Sequence, residues 1–172
     1  MPATTEQICA ALAANPRQLT VVLARQLGVP EADVIACLPE TQVVELDTAR
    51  WEELFRAFEA FGKCHVICTN QAATLEVHGA FGGFSLTGPF FNVQTDSLDM
   101  HIRHEQRARA FAVEKPSHMD GVNTLSVQFF DKSGNSAFKV FMHFGGTPIA
   151  PERNSAFAAL RERFRKVSAR PA

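Results

Sequence analysis

The chain offers six histidines, four cysteines and no tyrosine, so imidazole and thiol groups are the first places to look for chemistry. Met100, His101, Ile102, Arg103 and His104 stand in an unbroken row, separated by eight residues from a preceding segment rich in glycine and phenylalanine (Gly79–Phe91). Along an extended strand, side chains alternate between faces. His101 therefore points away from both Met100 and Ile102. His101 and His104, three apart, point to opposite faces and do not chelate one ion unless the segment is helical. Glycine lets backbone approach something flat or bulky, and phenylalanine supplies large apolar area.

A neutral imidazole beside such a surface has two readings. One is an axial ligand for the iron of a flat macrocycle, and haem fits these residue types best. The other is an ordinary half-buried strand histidine. The same choice applies to Phe90, Phe91, Phe129, Phe130 and Phe144, which either line an apolar slot or fill a sheet core. Arg103, Arg107, Arg109 and Lys115 either meet carboxylates such as haem propionates or form a solvated charged face. His65, His78, His118 and His143 are by default plain surface or core residues.

Other chemistries find little support. HExxH, GxSxG, P-loop and EF-hand patterns are absent. The GAFGGF run lacks the glycine spacing of a dinucleotide fingerprint and opens no helix after a parallel strand. Cys9, Cys37, Cys64 and Cys68 include no CxxC pair. The N-terminus has no basic segment followed by a long apolar run, so a secretory signal is not expected. Reduced, structural thiols are expected rather than a disulfide framework.

With 172 residues, 46% apolar and 20% charged, a single domain with a true core is expected over 1–172. Formal charge is −1, from 17 basic and 18 acidic residues. That balance argues against a nucleic-acid binder relying on bulk positive charge. No apolar run is long enough to span a membrane.

The elements that must position these groups fall into three parts. Residues 1–40 are helical: 4–14, 20–27 and 30–38, punctuated by Asn15-Pro16, Gly28 and Pro39. Residues 41–147 carry a short strand (41–46), a helix over 48–60 with Trp51, Leu54, Phe55 and Phe58 on one face, and a run of strands. Those strands are 64–70, 73–79, 82–88, 90–95, 99–104, 108–115 and a hairpin over 124–144 turning at Lys132–Asn135. Residues 148–172 hold a helix over 151–167 and a frayed tail. The order gives an α+β fold: a large antiparallel sheet with N-terminal helices and a C-terminal helix packed on it. The pattern around LGVP (27–30) has the form of a helix-turn-helix, but its second helix, PEADVIACLP, carries two acids and no base, so a structural role is expected.

Five segments in order carry a family resemblance: LGVPEADVIACLP (27–39), FGKCHVICTNQAATLEVHG (61–79), GPFFNVQTDSLDMHI (88–102), AFAVEKPS (110–117) and SVQFFDKSGNSAFKVF (126–141). Together they resemble the cytosolic haem-utilisation carriers of the HutX/ChuX type, relatives of one half of a HemS/ChuS-type haem protein. The resemblance implies a homodimer, haem on the sheet, and storage of haem or its delivery to a downstream haem-degrading partner. The carried ligand would be haem b and the location cytoplasmic, with neither nucleic acid nor membrane as partner. His101 falls on the histidine such proteins offer to haem. A second strand histidine of some members falls on Thr69, which leaves His65 as candidate second ligand. The expected haem contacts are thus His101, His65, Arg103, Phe90, Phe91 and Met100. A non-enzymatic carrier is expected; the alternative is a haem-degrading enzyme fed by an external reductant.

Overall fold

The computed structural model describes residues 2–70, 72–119 and 121–167; the tail expected to fray, 168–172, lies outside them. Three helices come first. Helix α1 (Thr5–Ala14) opens with a capping box, in which the Thr4 hydroxyl accepts from the Gln7 N–H and the Gln7 side chain accepts from the Thr4 N–H. Helix α2 (Thr20–Leu27) stops at Gly28, whose φ of 65° is left-handed. Helix α3 (Glu31–Ala36) follows Pro30. Then come β1 (Val43–Glu45), α4 (Trp51–Ala57), β2 (Lys63–Thr69), β3 (Thr74–Ala80), β4 (Phe84–Thr87), β5 (Phe90–Gln94), β6 (Asp99–Arg103), β7 (Arg107–Pro116), β8 (Asn123–Asp131), β9 (Ser136–His143) and α5 (Pro151–Arg163). None of these helices is long and apolar enough to cross a membrane.

The architecture is α+β with antiparallel pairing throughout. The strands divide into two sheets. The main sheet has six strands in the order β1-β7-β8-β9-β2-β3, and the smaller one has three, β4-β5-β6. The helix expected over 48–60 is α-helical only at Trp51–Ala57. It is flanked by 3₁₀ turns at Thr48–Arg50 and Phe58–Phe61. The three-residue spacing of Phe58 and Phe61, both buried, suits the tighter winding that brings i and i+3 to one side. Helix α5 ends at Arg163 rather than 167, because Phe164 is fully buried and Arg165 pairs with Leu46.

Each face of the main sheet has its own core. Alternation along the strands sends Val66, Phe129, Phe138 and Val140 to one face, against Leu54, Phe55 and Phe58 of the α4 region, Phe91 of β5, and Phe157 of α5. Phe111, Val113 and Phe130 point to the other face, where Ile8, Leu12, Leu23, Val34 and Ile35 of α1–α3 cover them. Helix α3 is thus mostly buried, and the helix that would read a DNA groove faces the sheet instead. It is held there by a buried ion pair between Glu31 and Lys139 of β9, while Thr20 donates to the same Glu31 oxygen.

The cysteines require a correction. Cys9 of α1 and Cys37, the C-cap of α3, form a disulfide across a Cα–Cα distance of 5.0 Å. Reduced thiols were expected at both, but the packing of α1 on α3 places two residues 28 apart in sequence within bonding range. Cys64 and Cys68 are free, and burial pushes the Cys64 thiol up to about 11, which leaves it un-ionised and inert at neutral pH.

Phe55 lies at the centre of the first core. It is 0% exposed, and its ring meets Phe58, Phe81, Phe91, Phe129 and Phe138 with centroids 5.0–6.3 Å apart. Phe55→Ala should destabilise the fold by about 3–5 kcal/mol, measured by urea unfolding. A loss below about 1 kcal/mol would mean the two sheets do not depend on this ring.

Candidate functional site

The β5–β6 hairpin sets the candidate site. Its register pairs Phe90 with Arg103, Phe91 with Ile102, Asn92 with His101 and Val93 with Met100. Phe91, Val93 and Ile102 are buried in the first core, and Met100 packs against it. By alternation Phe90, Asn92, His101 and Arg103 stand on the outer face. Of the expected contacts, His101, Phe90 and Arg103 therefore share a surface. Phe91 and Met100 do not, because the core claims their side of the hairpin.

On that surface the His101 ring is oriented by its partner. Asn92 is nearly buried, and its amide nitrogen donates to the Ser85 and Thr87 hydroxyls. The Asn92 carbonyl oxygen then faces His101 Nδ1 at 2.7 Å. An amide oxygen only accepts, so Nδ1 carries the proton, and in the neutral ring Nε2 keeps its lone pair. The His101 side chain is 55% exposed, with Nε2 lying 3.6 Å from Asp99 Oδ1. This is the arrangement a metal-ligating histidine uses: one nitrogen fixed by an acceptor, the other presented outward. The Arg103 guanidinium lies over the Phe90 ring at 4.8 Å, and Phe90 meets His101 edge-on at 6.1 Å. Cation, apolar ring and imidazole thus form one exposed row.

The remaining sequence candidates go elsewhere. Arg107 lies over Trp51 at 4.5 Å, and burial lowers its guanidinium to about 10, still charged at neutral pH. Arg109 pairs with Glu45 and Asp33. Lys115 is buried and donates to the Pro116 carbonyl. His104 leaves the strand and stacks on Trp51, centroids 4.9 Å apart and planes within 5°. Phe129 and Phe130 belong to the two opposite cores. The five phenylalanines do not form one slot. Two of the glycines serve internal packing: a Cβ at Gly79 would overlap the Ser97 side chain, and one at Gly83, with φ of 65°, would overlap the Gln94 carbonyl.

His65 sits on β2, whose neighbours Cys64 and Val66 point into the first core. His65 therefore faces the opposite side of the main sheet, while His101 lies beyond the small sheet on the first-core side. The core stands between the two histidines, so within one chain they do not face a common iron. His65 is 5% exposed, its ring lies tilted against those of His78 (3.9 Å) and Phe144 (4.1 Å), and its Nε2 is 2.9 Å from Glu76 Oε2. Burial first, then the charge of His78, presses its imidazole below the ordinary histidine range, with Glu76 acting against both. On the same side a cavity of about 260 Å³ is lined by Ile67, Thr69, Lys115, Lys139 and Phe141 among others. It shares no residue with the His101 surface. Its volume falls short of the roughly 300–1,000 Å³ usual for ligand pockets of drug-sized molecules.

Sequence reading missed Asn92. The signal was present: the turn at residues 95–98 fixes the β5–β6 register, and that register puts Asn92 opposite His101. It also weighed His65 and His78 separately and passed over Glu76, although the hairpin between β2 and β3 pairs His65 with His78 directly.

These features can be set beside known proteins. The intracellular heme transport protein HutX of Vibrio cholerae is 24% identical over 169 residues, covering 96% of this chain and 86% of its own. The solved heme binding protein ChuX superposes with a TM-score of 0.79 at 21% identity, over 91% of this chain and 97% of that one. The heme degrading enzyme ChuS of Escherichia coli O157:H7 superposes with a TM-score of 0.75 at 23% identity, over 94% of this chain but only 46% of the enzyme. The two superpositions establish a common fold. Residues 44–160 match the sequence pattern of the family described as Haem utilisation ChuX/HutX. That match spans more than half of the sequence, and the chain belongs to the ChuX/HutX haem-utilisation family.

Proposed function

We propose that this protein is a haem carrier that holds haem b through His101 Nε2, on the outer face of β4–β6, and passes it to a haem-degrading partner in the cytoplasm. The observation that carries the reading is the Asn92–His101 pair, which commits Nδ1 to a hydrogen bond and leaves Nε2 exposed for iron. Phe90 offers apolar contact to the macrocycle, and Arg103 offers a charge-assisted hydrogen bond to a propionate. His65, on the other side of the core, is not the second ligand of the same iron within one chain. Family membership and the HutX relative support the carrier role. They favour it over haem degradation because the degrading enzyme is matched over only 46% of its length. An open ligand on a sheet surface also suits a protein that must release its cargo.

The carrier is a homodimer in this reading. Strand β3 is an edge of the main sheet with most residues exposed, and Leu75 on it is 63% exposed, a surface that favours a partner. Sedimentation equilibrium should give twice the chain mass of 18.9 kDa. A monomer at all concentrations would contradict the dimer and leave the haem assignment standing.

The site makes two further predictions. His101→Ala should weaken haem binding by roughly 10–100-fold and shift the Soret band, whereas Arg103→Ala should cost only about two- to fivefold, as expected for one exposed charge. Unchanged affinity and spectrum in His101→Ala would overturn the assignment. In the haem-free protein, ¹⁵N–¹H correlation of the imidazoles should find His101 protonated at Nδ1 in its neutral form, and Asn92→Ala should release that preference. A neutral His101 protonated at Nε2 would remove the physical basis of the site.

A further inference from the structure

The structure assigns a second metal site, separate from the haem surface: His65, Glu76 and His78 form a cross-strand triad that binds a divalent ion of the zinc class. Strands β2 and β3 pair His65 with His78 directly, and Glu76 lies two residues from His78, on the same face. One ligand atom from each of the three side chains lies within 4.8 Å of the other two. Three ligand atoms at tetrahedral positions around one ion, each about 2.0–2.2 Å from it, stand about 3.3–3.6 Å apart, so the three side chains need only close in by about an ångström to hold it.

A second, independent observation separates this triad from an ordinary surface cluster. His65 is 95% buried, since only 5% is exposed, and neither of its ring nitrogens has an aligned hydrogen-bond partner among the described residues. The approach of Glu76 at 2.9 Å is close but poorly directed for a hydrogen bond. A buried imidazole without aligned partners costs about 1–3 kcal/mol unless something satisfies it. A cation between the two strands supplies that partner: each imidazole gives a nitrogen lone pair and Glu76 gives a carboxylate oxygen. Two imidazoles and a carboxylate are borderline-hard donors, which select zinc and its neighbours over magnesium or calcium. Three protein ligands leave one position open, toward the exposed side where Glu76 also lines the 260 Å³ cavity.

The proposal does not rest on the haem assignment, because the two sites lie on different sheets with the first core between them. The test uses the full-length, haem-free protein and Co²⁺ as probe, followed by its d–d absorption, with Zn²⁺ displacement by calorimetry. His65 is buried, so its removal would confound folding with binding; Glu76 and His78 are exposed and are the variants of choice. We expect one equivalent of Co²⁺ per chain, displaced by Zn²⁺, with affinity lowered on the order of tenfold or more in both His78→Ala and Glu76→Gln. His101→Ala should bind Co²⁺ as the native protein does. Absence of a one-equivalent site, or an affinity within about twofold of native in both triad variants, would overturn the proposal. So would loss of Co²⁺ binding in His101→Ala, which would place the ion on the haem surface.

Discussion

Phe55 meets both sheets at once. Its contacts with Phe129 and Phe138 reach the main sheet, and its contact with Phe91 reaches the small one. Once Phe91 and Ile102 are committed to that core, alternation leaves no freedom for their neighbours, and Asn92 and His101 must face outward together. A one-residue slip of β6 against β5 would bury the imidazole and expose Ile102. The proposed haem surface is therefore a by-product of apolar packing on the other side of the hairpin, and the same packing directs Met100 and Phe91 away from it.

The opposite side of the main sheet obeys the same rule with a different outcome. Helices α1–α3 cover the β1–β7–β8 part of that face, and the strands β9, β2 and β3 extend beyond them. There the inward positions of the first core, Cys64 and Val66, alternate with His65 and Ile67. Polar groups gather on this face of the sheet: the Glu31–Lys139 pair, Lys115, and the His65–Glu76–His78 triad. Burial lowers Lys115 as well as His65, so this face holds its titratable groups in a less hydrated setting than the outer face of β4–β6. The chain thus presents two chemically distinct surfaces, one an exposed row of cation, ring and imidazole, the other a half-enclosed cluster of nitrogen and oxygen donors.

Much of this could be read from residues alone. Hydrophobic period, turn residues and breakers located the five α-helices and nine strands among the described residues, and the acids of α3 argued for a structural rather than a DNA-reading part. Boundaries failed where tertiary packing overrode local pattern, as at Phe58–Phe61 and Phe164, whose burial winds or ends the helix differently. The division into two sheets was not readable, because strand partners depend on long-range pairing such as β2 with β9. His101, Phe90 and Arg103 were singled out from residue type and family resemblance, and the β5–β6 register brings them onto one surface. Asn92 escaped because its role appears only once two strands are in register, and the Cys9–Cys37 bond escaped because it depends on how α1 lies on α3.

The proposed function turns on where the macrocycle sits. The most direct test is to add gallium(III) protoporphyrin, a diamagnetic stand-in for haem, to uniformly ¹⁵N-labelled protein and map the amide shift changes. The changes should concentrate at Ser85, Asn92, His101 and Arg103 on the outer face of β4–β6, with Ile67, Phe141 and Phe144 unaffected. Changes concentrated at Ile67, Phe141 and Phe144, with β6 silent, would contradict that placement and put the ligand on the other face of the main sheet.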